Sequence, residues 1–264
     1  MDLSSETVKT LIGHGRAMSQ PIDLPGGGVA FLAPNDYQVH THKEAVLPDY
    51  IQAEASFTSP ESFSDYTNTF KTGKTRICGN LKSNVFRAYF DYHLPGEPSW
   101  NKHFAQLTLQ HSPQWEAWGV CNNALMNQGD FAEFIEDNRQ DVIEPDGATL
   151  LEIITDLESK TEAKFQSSIR RSDGSMVLNY EEETKTQTAK GNIPLPTELE
   201  LGVPIFRHGE IFKIKAFLRA RVRDGNAKFV VKIDQMRQAK ESAFLAISQQ
   251  IHDATGLFIW EGSL

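Results

Sequence analysis

The chain has 264 residues, 39% of them hydrophobic and 23% charged, enough to bury a sizeable core without disulfides or metals. Two isolated cysteines, Cys78 and Cys121, exclude a disulfide scaffold or a Cys-rich metal site, and no 18-residue apolar run points to a membrane helix. The net charge of −9 argues against a general nucleic-acid coat protein but permits a local basic patch.

In chain order, a short helix is expected from Ser4 or Ser5 to Ile12, stopped by Gly13 and Gly15. This beginning lacks a basic start and apolar block, so it does not read as a signal peptide. Short strands are expected at Val29–Ala33 and Tyr37–Thr41. Ser59-Pro60-Glu61 opens a helix carrying Phe63, Tyr66 and Phe70 at helical spacing. Strands follow at Asn84–Tyr92 and Phe104–Leu109, joined by a loop rich in Pro, Gly and His. Ser112-Pro113 starts a long central helical segment bearing Trp115, Trp118 and Leu125, interrupted at Asn127-Gln128-Gly129. It restarts at Asp130, where Asp130 and Glu133 resemble a capping box. Another helix begins at Asp146-Gly147.

The last hundred residues are strand-rich. Residues 163–170 and 175–186 form a hairpin, Ile193-Pro-Leu-Pro196 reads as a linker, and Glu198–Phe206 is a strand. Ile211 to Ile233 alternates almost without error around the hairpin signal Asp224-Gly225. Met236, Ala239, Ala243, Phe244, Ile247 and Ile251 mark a C-terminal helix, and Leu257–Trp260 a closing strand. The fold class is α+β, with mostly antiparallel sheet, β-hairpins, a long central helical segment and a C-terminal helix. A division into 1–160 and 161–264, or one continuous domain, accounts for the change in character.

Few motifs carry chemistry. Gly73-Lys74-Thr75 lacks the preceding glycine and the leading strand of a phosphate loop. His40, His42, His93 and His103 have no fixed ligand spacing, so no metal is expected. No nucleophile elbow or catalytic cysteine setting is present. The aromatic stripe of Trp115, Trp118, Phe131 and Phe134 reads as core. No cofactor and no enzymatic activity are expected; an enzyme with a His-rich site is the weakest alternative.

The informative feature is one face of 211–233. Lys213, Lys215, Arg219, Arg221 and Arg223 share a parity with Phe217, Lys228 and Lys232 continue that face after the turn, and the opposite face is apolar. Three partners suit seven cations: acidic strands of the same chain, another copy of the chain, or a nucleic acid. Glu181, Glu182, Glu183, Glu198 and Glu200 supply an acidic complement, so pairing with protein carboxylates is favoured over phosphate.

Several segments together resemble the YfdQ-like prophage proteins of unknown function. They are Phe90-Asp-Tyr-His93, Trp115-x-x-Trp118, Met126-x-Gln128-x-x-Phe131-Ala-x-Phe-Ile-Glu136-Asp-Asn138 and Ile143-x-Pro145. The resemblance covers most of the chain and implies a phage or prophage protein of the bacterial host cytoplasm, without a reaction or a catalytic residue. The element order, with a long helix over 113–138, also resembles capsid and encapsulin shells by analogy alone. The expected function is therefore a non-enzymatic protein that self-associates into a homo-oligomer or larger particle. A DNA- or RNA-associated accessory factor is the alternative.

Overall fold

The computed structural model describes residues 6, 9, 10, 13, 15, 22–24, 28–30, 50–159, 164–172, 174–183, 188–223 and 226–264. The chain forms two compact units, Met1–Tyr50 and Ile51–Leu264. In the first, strands β1 (Ile22–Leu24) and β2 (Gly28–Ala30) pair antiparallel, with Leu24 opposite Gly28. The backbone is still helical at Gly13 and Gly15, where a stop was expected. The strand expected at Tyr37–Thr41, with His40 and His42, lies outside the described residues.

The second unit is α+β and holds three sheets. Its core draws on both sides of residue 160, from Trp118 and Phe131 to Phe165 and Phe229. The first sheet comprises β3 (Ala53–Phe57), β4 (Arg76–Asn80), β5 (Val85–Tyr89), β6 (His103–Thr108) and β14 (Ile259–Glu261), in the order β14-β4-β5-β6-β3. β4, β5 and β6 are antiparallel, whereas β3 joins β6 and β14 joins β4 in parallel. Its inner face is Ile77, Phe86, Ala88, Ala105 and Leu107, each fully buried. Helix α1 (Pro60–Phe70) packs beside it, begun by Ser59, whose hydroxyl accepts from Ser62 N, and by Pro60 at the first position.

The central helical segment is two helices, α2 (Pro113–Cys121) and α3 (Gln128–Asp137), and not one run through 113–138. The break falls at 122–127. Asn127 is the N-cap of α3, its Oδ1 accepting from Asp130 N at 2.8 Å, so the Asp130–Glu133 capping box does not form. The physical reason is an edge that needs covering. Asn123 N donates to Val231 O (2.8 Å), and Met126 exchanges both backbone bonds with Phe229 (2.9 Å each). The loop thereby closes the outer edge of β13 (Asn226–Ile233), which would otherwise invite pairing with another chain. The shell-like element order loses its long helix at the same point.

The second sheet runs β13-β12-β11-β7, with β12 (Ile211–Arg223), β11 (Glu198–Pro204) and β7 (Val142–Glu144). The third is β10-β9-β8, built from β8 (Lys164–Arg170), β9 (Met176–Glu183) and β10 (Thr188–Leu195). The expected linker at 193–196 is mostly strand: Ile193 and Leu195 are buried while Pro194 between them is exposed. β9 bonds to both neighbours, so Pro194 sits on an edge strand, where its missing N–H is tolerated. α4 (Gly147–Ser159) lies against β10 and α3, and α5 (Met236–Thr255) ends at Gly256 with φ +69°, a left-handed cap that glycine adopts without strain.

Candidate functional site

β12 is 13 residues long and has two unlike faces. Ile214, Ala216, Leu218 and Ala220 are buried, as are Leu199, Leu201 and Val203 of β11 and Ala227, Phe229, Val231 and Ile233 of β13. Beneath them lies the aromatic stripe. Phe131 stacks on Phe229 at 4.6 Å, Phe134 meets Trp118 edge-on at 5.0 Å, and Trp118 Nε1 donates to Asp141 Oδ2 at 2.9 Å. Burial pushes the Asp141 carboxyl up, against the pull of that hydrogen bond. The stripe is core, as its helical spacing predicts.

The opposite face carries the cations. Lys213, Lys215, Arg219, Arg221 and Lys232 are exposed and Lys228 half-buried; the Arg223 side chain and the Asp224-Gly225 turn lie outside the described residues. The register sets their neighbours. Lys215 stands opposite Glu200, Phe217 between Glu198 and Lys232, Arg219 opposite Val230, and Arg221 opposite Lys228. The charges therefore separate along the face. Glu198, Glu200 and Glu144, which pairs with Glu200 across β7, flank the half that starts at Ile211. The half toward the hairpin tip holds Arg219, Arg221 and Lys228 with no carboxylate opposite.

Among the described residues the face makes one ion pair, Lys213 Nζ to Glu200 Oε1 at 2.7 Å. The hydrogen bond to Glu200, then its charge, pushes the Lys213 ammonium up. The other expected acidic partners lie elsewhere. Glu181 is in the third sheet, opposite Lys164 and Lys190, and takes a hydrogen bond from Gln166. Glu182 and Glu183 continue that strand; their side chains are outside the described residues.

β12 outruns β11 at the basic end. Past Glu198, Leu218 N donates to Thr197 O (2.9 Å) and Ser168 Oγ of β8 donates to Ala220 O (3.1 Å). The two sheets thus meet around a groove of about 290 Å³ whose lining includes Phe217, Thr197, Arg219, Arg221 and Arg170 and, among the described residues, no carboxylate. Arg221 directly opposite Lys228 is an unfavourable pairing in a sheet left to itself. Three guanidinium groups around one groove offer planar, forked donors suited to phosphate or carboxylate. Arg170 is the residue that sequence reading missed, because it lies on another strand and only the contact of two sheets brings it here.

The histidines behave differently. His103 is buried, its ring 4.5 Å from Phe90 and its Nε2 3.1 Å from Tyr66 Oη. Burial pushes its pKa down, opposed by the Asp91 carboxylate. His93 Nδ1 lies 3.2 Å from Asn101 Nδ2. Among the described residues no three His, Cys, Asp or Glu side chains converge on a metal position. No helix there is long and apolar enough to cross a membrane.

A family model described as "Uncharacterized conserved protein (DUF2303)" matches residues 5–264. The chain belongs to this family. No curated protein and no solved structure matches it. The DUF2303 match contains every strand of the basic face, so the groove lies within the region that defines the family.

Proposed function

We propose that this DUF2303 protein is a non-enzymatic binding protein whose basic face takes a single strand of nucleic acid. The observation that carries the reading is the Arg170–Arg219–Arg221 groove, lined by no carboxylate among the described residues and with Phe217 on its wall. Cations follow a phosphate backbone, and an aromatic ring among them gives a base a surface to stack on. The weight of the sequence pattern lay with protein carboxylates; the single Lys213–Glu200 contact among the described residues moves it toward an external anion. The YfdQ-like resemblance suits a prophage protein of the host cytoplasm.

A second reading is favoured by the charge separation along the face. With Glu144, Glu198 and Glu200 at one half and arginines at the other, a second copy laid antiparallel would match each end with its opposite. The face would then serve self-association into a homo-oligomer.

Fluorescence anisotropy with a 30-nucleotide single strand and its duplex, beside light scattering, separates the two. If Lys215, Arg219, Arg221, Lys228, Lys232 and Arg170 meet phosphates, log affinity falls against log salt with a slope of about −4, at roughly −0.7 per contact. Arg219→Glu with Arg221→Glu should abolish binding of the single strand and leave the oligomeric mass unchanged. A loss of mass in that variant, with no DNA binding by the wild type, would assign the face to self-association. Equal affinity for duplex and single strand would remove Phe217 stacking from the reading.

A further inference from the structure

A second surface lies on the first sheet, away from the basic face's own residues. β14 is the last strand of that sheet and bonds to β4 alone; among the described residues nothing pairs with its other edge. It carries Trp260, 49% exposed, and follows Phe258, 68% exposed; the two rings meet edge-on at 5.4 Å. Leu245 of α5 is 59% exposed and borders the same cavity of about 410 Å³. Large apolar side chains clustered in the open in this way mark an interaction surface.

That cavity continues into another of about 580 Å³, the two sharing Gly79, Leu81 and Glu261. The character changes along α5. Toward the helix start the described lining holds Lys82, Arg237 and Lys240 against Glu261, and Glu241 lines the adjoining apolar cavity. Gly79 keeps the floor low: a Cβ there would come within 2.7 Å of Phe86, which is stacked on Phe244 at 4.5 Å. The floor is therefore a stacked pair of rings packed directly under Gly79.

We propose that this groove takes an extended acidic segment of a partner protein, which adds to the free edge of β14. Main-chain bonds to the edge supply the alignment; an apolar anchor fills the space among Leu245, Phe258 and Trp260; aspartates or glutamates on the same segment reach Lys82, Arg237 and Lys240. Strand addition with side-chain pockets is a recurring mode of peptide recognition. The occupant is acidic because, among the described lining residues, three cations face two carboxylates and all three sit at one end, and it is a peptide because a strand edge with no partner among the described residues lies beside the apolar anchor. This surface shares no residue with the basic groove, so either can fail without the other.

The test is selection of a random twelve-residue display library on the full chain. Recovered sequences should carry one or two large apolar residues and an excess of Asp and Glu. A synthetic copy should bind with micromolar affinity, weakened at least tenfold by Trp260→Ala and, separately, by Lys240→Glu. Trp260 is exposed and Lys240 half-buried, and circular dichroism checks that each variant is folded. Recovery of basic peptides, no enrichment, or binding unchanged in both variants would overturn the proposal. So would loss of oligomeric mass in Trp260→Ala, which would hand the patch to a second copy, or protection of Trp260 by an oligonucleotide.

Discussion

The five-stranded and four-stranded sheets are built alike on the inside and oppositely on the outside. Inside, each seats one phenylalanine flat against a helical one: Phe86 on Phe244 at 4.5 Å, Phe229 on Phe131 at 4.6 Å. Outside, each bears arginine. Arg87 of the first sheet lies over Phe104 at 5.0 Å, donates to Tyr89 Oη at 3.3 Å, and is hydrogen-bonded to Gln106. Arg221 of the second stands opposite a lysine. The same side chain on the same kind of strand is held by its neighbours in one place and exposed in the other. Cross-strand neighbours decide which, because a guanidinium is held only where aromatic faces and acceptors surround it.

The inner parity makes the largest expected effect. Phe86→Ala and Phe229→Ala should each cost about 3–5 kcal/mol, the range for emptying a buried aromatic site. Urea unfolding measures both, and a difference of several kcal/mol between them would break the parity. The outer contrast comes next. Arg87→Met should cost about 1–2 kcal/mol, since it leaves Gln106 Oε1 without its donor, while Tyr89 Oη keeps its bond to Leu264 O. Arg221→Met should stay within about 0.5 kcal/mol, in the stabilising direction, by relieving Lys228. Equal losses in the two variants would mean that Arg221 has a structural partner after all.

The smallest effect is one of pH. His103 opens β6 of the five-stranded sheet, and burial lowers its pKa from 6.5. The unfolded chain therefore binds the proton more readily than the folded one. Stability from this group is full above pH 6.5 and is lost as pH falls through the window between 6.5 and the lower folded value. Unfolding midpoints at pH 7.5 and 5.5 should differ less in His103→Gln than in the wild type. Lys213 on the other sheet has the reverse sign, its raised pKa placing any loss above pH 10.5, so acidification separates the two sheets.

By itself the sequence determined what depends on period and local chemistry. The alternation of 211–233 specified a two-faced strand pair with Leu218 and Phe229 inside and Arg219 and Arg221 outside, because side chains alternate every residue whatever packs on them. Ser59-Pro60, Ser112-Pro113 and Gly256 fixed where helices start and stop. The short strands β3, β4 and β7 escaped, since three to five residues carry too little pattern to separate a strand from a loop. Only the tertiary structure decided which strands become neighbours. It sent Glu181 to a different sheet from the cations it was expected to meet, and brought Arg170 across to join them. It also broke the central helix at Asn122–Asn127 so that the loop could seal the edge of β13. Charge and parity are local properties of a strand. Partnership between strands depends on which hydrophobic faces pack together, and no short stretch of sequence contains that.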